Sequence, residues 1–151
     1  MHPLPHAYDV TVRANETGPV EITSRGLDAL ISAPPREFDG PGNRWSPETL
    51  LVAAVADCLV LTFRSVANVA KLRWTSLVCD ANGALDRADG VIRFTAIRLH
   101  ARLSLPAGAD VDKANKILQK AKNACLVGNS LKCEPTLQTA VTVEEPAAAC
   151  K

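Results

Sequence analysis

The hydrophobic pattern of the chain centres on one long apolar segment at residues 46–71. Between residues 50 and 61 only Asp57 is charged, and apolar residues occupy nearly every side of the helix that this segment predicts. Ser46 is suited to cap the start of that helix, because its oxygen can accept a hydrogen bond from a free N–H of the first turn. A helix that is apolar all round is typical of a buried position, so we expect it in the core.

Alternating apolar and polar residues predict strands on both sides of this helix. The predicted strands are residues 8–13, 20–24 and 27–33 before the helix, and residues 74–85, 91–105 and 135–143 after it. Asp89 and Gly90 predict a hairpin turn between the fourth and fifth strands. In the fifth strand, apolar side chains share one face, while Arg98, His100 and Arg102 share the other. We therefore expect a sheet with one solvated side, and a surface position for His100.

A second helix is predicted from Asp110 to about residue 124, with an apolar stripe formed by Ala114, Ile117, Leu118 and Ala121. The order of elements predicts an α+β fold, with antiparallel β-sheets around a long buried central helix. One small sheet and one other helix can hardly cover the central helix, so we infer a homodimer. The length predicts a single domain over residues 1–151, with a core at about 8–143 and loose tails, the second of which carries Cys150.

The composition excludes several classes of function. A net charge of +1 offers no basic field for nucleic acid or an anionic membrane, and aromatic residues make up only 4% of the chain. The apolar run at residues 50–61 is too short to span a bilayer, and the first residues do not resemble a secretory signal. We therefore expect a cytoplasmic protein whose thiols are mostly reduced.

Two of the five cysteines occupy comparable places. Cys58 lies on one stripe of the first helix, and Cys125 continues the apolar stripe of the second. A buried thiol is usually inert packing. If both stripes face one core, however, the two thiols could meet. One thiol could then be oxidised to a sulfenic acid, and the other could condense with it to form a disulfide. The short ligand spacing of a zinc site is absent, so a metal site built from Cys58, Cys125 and Cys133 is a minor alternative.

An attacking thiol must be ionised, and an apolar environment opposes ionisation unless a cation lies nearby. No lysine or histidine lies near Cys58 on its own helix face. The candidate cations come from loops and early strands: Arg36 first, Arg44 second, then Arg25 or Arg13.

Residues 46–58, with the sequence Ser-Pro-Glu-Thr-Leu-Leu-Val-Ala-Ala-Val-Ala-Asp-Cys, carry a resemblance to a known family. They resemble the Asn-Pro-Glu-x-Leu-x-x-Ala-Ala-x-x-x-Cys signature of the osmotically inducible protein C (OsmC) family, which includes the organic hydroperoxide resistance proteins. The segment at 117–125, Ile-Leu-Gln-Lys-Ala-Lys-Asn-Ala-Cys, resembles the second cysteine segment of that family. The resemblance covers roughly residues 8–143. Asp57 stands where family members usually have a small residue, and Leu126 stands where they often have a proline. A divergent member of the family is therefore expected.

The resemblance implies an intertwined homodimer with thiol peroxidase activity and no cofactor. Cys58 would be the peroxidatic thiol and Cys125 the resolving one, with Cys133 as a rival. Glu48 matches the glutamate that holds the catalytic arginine in the family, and Arg36 is the nearest match to that arginine. In the hydroperoxide-resistance branch, Arg13 would be the nearest candidate.

The spacing between Glu48 and Cys58 bears on how such a site is assembled. The two residues are ten positions apart on one helix, which is roughly 15 Å along its axis. If Glu48 serves the thiol, the site therefore joins two chains.

These observations predict a thiol-dependent peroxidase that reduces organic hydroperoxides and is regenerated by an external dithiol. The alternative is a non-catalytic dimer that binds a small apolar molecule or senses redox state with the same cysteines. Neither nucleic acid nor a membrane is expected as a partner.

Overall fold

The computed structural model describes residues 3–145, which form two compact units, residues 3–50 and residues 51–145. The end of the tail predicted to be loose, including Cys150, lies outside the described residues. The expectation of a single domain stays a prediction.

The first unit is an antiparallel meander followed by a loop and the first turn of a helix. Its strands are β1 (Thr11–Arg13), β2 (Val20–Thr23) and β3 (Leu30–Ser32), each shorter than predicted. A single 3₁₀ turn, Arg36–Phe38, interrupts the loop. The helix α1 (Pro47–Val69) then begins as expected, because the Ser46 hydroxyl accepts a hydrogen bond from the Thr49 N–H at 3.2 Å.

The second unit contains the rest of α1 and all the remaining elements. These are β4 (Ser76–Ala88), β5 (Val91–Leu105), α2 (Val111–Asn123), the short helix α3 (Leu126–Asn129) and β6 (Thr136–Val143). The predicted hairpin turn is confirmed: Asp89 and Gly90 have φ values of 53° and 78°, which the tight turn between β4 and β5 requires. Asp110 caps α2 by accepting a hydrogen bond from the Lys113 N–H at 2.9 Å.

The core of the second unit is built from one face of β5 and one stripe of each long helix. The sequence predicted both the β5 face and the α2 stripe, and each is buried as expected, while His100 is exposed. The buried residues are Ile97, Leu99, Ala101, Leu103 and Leu105 on β5; Ala114, Ile117, Leu118 and Ala121 on α2; and Val55, Leu59, Phe63 and Ala67 on α1.

The last strand departs from the all-antiparallel sheet that was expected. The fold class is α+β as predicted, and β4 and β5 are antiparallel, but β6 runs parallel to β5, with Leu99 opposite Leu137 and Leu103 opposite Val141. The reason is the connection: α2 carries the chain back to the starting end of β5, so the next strand points the same way.

The central helix is covered on one side only within a single chain. Four of its 23 residues are buried, whereas Leu61 is 49% exposed and Val69 is 80% exposed. The helix is longer than its apolar run at residues 50–61. By length and composition alone it could cross a membrane, but the core helix of a soluble protein meets the same two criteria. Its buried stripe packs in the core of the second unit, as in such a core helix.

Shortening one side chain of this stripe tests the packing. We expect Leu59→Ala, at a position with no exposed surface, to lower the free energy of unfolding by about 2–5 kcal/mol, since it removes buried methyl groups and leaves a cavity. The matched change Leu27→Ala, at a position 71% exposed, should stay within about 0.5 kcal/mol. Urea unfolding measures both, and equal losses would contradict this account of the core.

Candidate active site

The fold brings Cys58 and Cys125 into contact. Cys58 lies in the middle of α1, and Cys125 follows the end of α2 as the N-cap residue of α3. The two thiols are close enough for each to shift the pKa of the other, and the Cys125 thiol lies 3.9 Å from the backbone oxygen of Val55, one turn before Cys58. Both cysteines are free thiols. Two thiols from distant parts of the chain thus share one site.

Hydrogen bonds prepare Cys58 to ionise. Burial is the largest influence on Cys58, and it opposes the charged form. Four hydrogen-bond donors together outweigh it: the backbone N–H of Val127, the Cys125 thiol, the Thr62 hydroxyl and the backbone N–H of Leu126. The pKa of Cys58 is therefore lowered from its ordinary value. A thiol with a lowered pKa has a larger fraction of the nucleophilic thiolate at neutral pH.

Cys125 has the opposite tendency. Burial is the main influence, and it raises the pKa of the Cys125 thiol. The backbone N–H of Gly128 lowers this pKa, whereas the interaction with Cys58 and the charge of Cys58 both raise it. The net shift of the Cys125 pKa is upward. Cys125 is 3% exposed. The pKa of Cys125 is thus shifted in the opposite direction to that of Cys58, so the two thiols differ before any reaction begins.

The backbone between α2 and α3 creates this arrangement. After α2 ends, Cys125 adopts an extended conformation and begins α3, and its sulfur accepts the Gly128 N–H at 3.4 Å, as a serine or aspartate oxygen does in an ordinary N-cap. The first N–H groups of a helix have no partner within it. Here those of Leu126 and Val127 are directed at Cys58.

The amino-acid sequence alone does not indicate a role for three of these donors. Thr62 shares the helix stripe of Cys58, which is the signal that could have identified it. The N–H groups of Leu126 and Val127 belong to a segment whose Gly128 and Asn129 predict only a turn, and no side chain marks their direction. The short helix α3 is therefore the part of the site that the sequence did not reveal.

The two departures from the family pattern leave the thiolate undisturbed. Asp57 is exposed and is not among the groups that shift the pKa of Cys58. Leu126 directs its side chain outward, 76% exposed, and contributes an N–H that a proline lacks.

Glu48 and Arg36 both lie in the first unit. Glu48 is in the first turn of α1, and its Oε2 atom is buried with no hydrogen-bond partner among residues 3–145. Arg36 is exposed in the 3₁₀ turn. Neither takes part in the ion pairs of the described residues, although Arg13 pairs with Glu21 at 3.5 Å. The roles expected of Glu48 and Arg36 stay predictions.

The other described cysteines are less suited to attack. Burial, and then the charge of Asp80, raise the pKa of Cys79 to about 11 despite the nearby Arg102. Cys133 is half-buried against the core, and the cysteine that shifts the pKa of Cys58 is Cys125. Within residues 3–145, no group of three or more His, Cys, Asp or Glu side chains is placed to hold a metal ion.

Comparisons with known proteins point in one direction. The family model described as OsmC-like protein matches residues 40–140. The uncharacterized protein YmaD of Bacillus subtilis is 28% identical over 133 residues, which are 86% of this chain and 87% of that protein. The peroxiredoxin OsmC of Escherichia coli is 35% identical over 92 residues, or 61% of this chain and 64% of that protein.

A solved structure agrees with this match. An organic hydroperoxide resistance protein OsmC from Legionella pneumophila, described as a predicted redox protein, superposes with a TM-score of 0.72 at 26% identity. The superposition covers 93% of this chain and all of that one. The resemblance read from the two cysteine segments is therefore confirmed at the level of family and fold.

Replacing Leu126 by proline tests the contribution of its N–H. Proline fits the first position of a helix, and Cys125 already has the extended backbone that a following proline requires. Leu126→Pro removes one donor from the thiolate, so the pKa of Cys58 should rise, and alkylation of Cys58 at neutral pH should slow about two- to fivefold.

Leu126→Ala is the matched control for this change, since it removes the side chain and keeps the N–H. It should alkylate at the wild-type rate, as measured by iodoacetamide labelling and peptide mass. Equal slowing in both variants would mean that the leucine side chain, and not its N–H, affects the thiol.

Proposed function

This chain belongs to the OsmC-like protein family, and from that premise we propose that it is a thiol-dependent peroxidase that reduces organic hydroperoxides. The observation that carries the proposal is the pair of thiols in contact, one with a lowered pKa and one with a raised pKa. This pairing supplies an ionised nucleophile and, next to it, a protonated partner that can react second.

The first step is attack of the Cys58 thiolate on the distal oxygen of the hydroperoxide. A sulfur–oxygen bond forms and the oxygen–oxygen bond breaks, so Cys58 becomes a sulfenic acid and the substrate leaves as an alkoxide that takes up a proton to give the alcohol. The N–H donors of Leu126 and Val127 hold the thiolate before attack.

The second step joins the two cysteines. The Cys125 sulfur displaces the hydroxyl group of the sulfenic acid, the Cys125 proton leaves with that hydroxyl as water, and a disulfide forms. An external dithiol then reduces the disulfide and is itself oxidised, which restores both thiols for another cycle.

Apolar surface around Cys58 supports an organic substrate. Leu61 and Ala54 lie one turn to either side of Cys58 on α1 and are exposed, and the side chain of Leu126 is also exposed. Burying the alkyl group of a hydroperoxide against such residues stabilises binding by about 25 cal/mol per Å² of apolar area. Hydrogen peroxide has no alkyl group to bury.

We also propose that two copies of the chain form a homodimer in the cytoplasm. The support is the central helix, which a single chain covers on one side only, and the Oε2 atom of Glu48, buried without a partner among the described residues. In this proposal Glu48 binds Arg36, and the guanidinium group of Arg36 stabilises the thiolate and the departing oxygen at Cys58 of the other copy.

The two-cysteine cycle is tested with one equivalent of cumene hydroperoxide under non-reducing conditions. We expect a mass loss of two hydrogen atoms, a Cys58–Cys125 disulfide in the peptide map, and turnover once dithiothreitol is supplied. Cys58→Ser should abolish turnover, Cys125→Ser should leave a sulfenic acid that dimedone traps, and Cys79→Ser should behave as wild type.

Two outcomes contradict this proposal in different ways. A Cys58 that stays a free thiol would exclude peroxide attack at this site. A disulfide that forms without sustained turnover would favour the alternative, a redox-sensing dimer in which the same contact records oxidation once.

Replacing Arg36 tests its role in catalysis. We expect Arg36→Ala to lower kcat/KM for cumene hydroperoxide by about 10²- to 10³-fold, because the charge that faces the developing oxyanion is lost. Arg98→Ala, on the exposed face of β5, should change kcat/KM little. The rates of Arg44→Ala, Arg25→Ala and Arg13→Ala complete the series, and a larger loss in any of these would assign the catalytic arginine to that position instead.

A further inference from the structure

Thr62 is a polar residue one turn after Cys58 on the apolar central helix. Its Oγ1 atom lies 3.9 Å from the Cys58 sulfur, and the side chain is half-buried. Helical threonine and serine side chains commonly bond to the carbonyl oxygen four residues earlier, as the Ser130 hydroxyl does here to Leu126 at 2.8 Å. Within the described part of the chain, the side-chain bond of Thr62 goes to the Cys58 sulfur instead.

We propose that Thr62 is a positioning residue for Cys58: its hydroxyl donates a hydrogen bond to the thiolate and fixes the direction of the sulfur. This inference rests on the proposed peroxidase function for its role in catalysis, but the contact with the thiol stands without it. A short polar side chain on the same helix holds the sulfur with little conformational freedom of its own.

The position of Thr62 distinguishes it from the other donors to Cys58. Cys125, Leu126 and Val127 all come from the segment that begins α3. The S–H bond of Cys125 is consumed when the disulfide forms, so that donor is absent when reduction releases Cys58 as a thiolate. Thr62 belongs to the helix that carries Cys58 and is not itself consumed when the disulfide forms.

The expected signature is a shifted pH profile. A hydrogen bond to the thiolate favours the charged form and also lowers its intrinsic nucleophilicity. Without the hydroxyl, Cys58 should react more slowly at pH values below its pKa and as fast or slightly faster well above it. A general loss of structure would lower reactivity at every pH.

The experiment compares Thr62→Val with wild type by iodoacetamide labelling from about pH 5 to about pH 10, a range that spans the ordinary titration of thiols. Labelling is read at Cys58 by peptide mass. Valine keeps the shape of threonine and removes the hydroxyl. We expect labelling about three- to tenfold slower in the acidic half of the range, and equal rates at its alkaline end.

Three further variants make the result specific. Thr62→Ser keeps the hydroxyl and should restore the wild-type profile. Thr62→Ala removes the hydroxyl without adding a branched side chain, and should reproduce the valine profile if valine disturbs folding. Ser65→Ala removes an exposed hydroxyl from the same helix and should leave the profile unchanged.

Each outcome decides between explanations. An unchanged profile in Thr62→Val, an equal shift in Thr62→Ser, or a uniform loss at every pH would overturn the positioning role. Turnover of cumene hydroperoxide by the same proteins separates this question from the proposed function. A shifted profile in a protein that does not turn over peroxide would support Thr62 as the partner of Cys58 and reject the peroxidase.

Discussion

An ionisable sulfur on an apolar helix is the feature on which the site depends. Placing Cys58 among leucines and valines removes water from its thiolate, and burial is the largest single influence on its pKa. Charge in such a place persists only when fixed donors replace the lost water. Two backbone N–H groups, a thiol and a hydroxyl do so here, and they reverse the direction in which burial alone would move the pKa.

The fold supplies these donors by ending one helix and starting another beside α1. The buried stripe of α2 packs in the same core as the stripe of α1, so the end of α2 delivers Cys125 next to Cys58. The chain then turns into α3, whose first N–H groups have no carbonyl partner of their own. Secondary structure, rather than a set of polar side chains, thus provides much of the solvation of the thiolate.

Local patterns could be predicted, and contacts between distant backbone groups could not. The alternation along β5, the stripe of α2, the cap at Ser46 and the Asp89–Gly90 turn each depend on neighbouring residues, and all are confirmed. The parallel pairing of β6 depends on where a whole connection ends. The donors at Leu126 and Val127 depend on the orientation of a four-residue helix, and backbone N–H groups leave no residue-specific mark in a sequence.

Gly128 shows how far the requirements of the two sulfurs reach into neighbouring positions. A Cβ atom there would lie 3.3 Å from the Cys125 sulfur and 3.4 Å from the Pro135 ring, so the sulfur or another neighbour would have to shift by a few tenths of an ångström to admit it. A side chain at position 128 would therefore act directly on the Cys125 sulfur, to which Gly128 itself contributes only its backbone N–H. Two residues away, the Leu126 side chain is exposed, so its size and polarity bear little on the space around the sulfurs. A substitution near the two cysteines therefore matters to the extent that it changes the space or the hydrogen bonds around the sulfurs, whether or not the replaced residue is itself reactive.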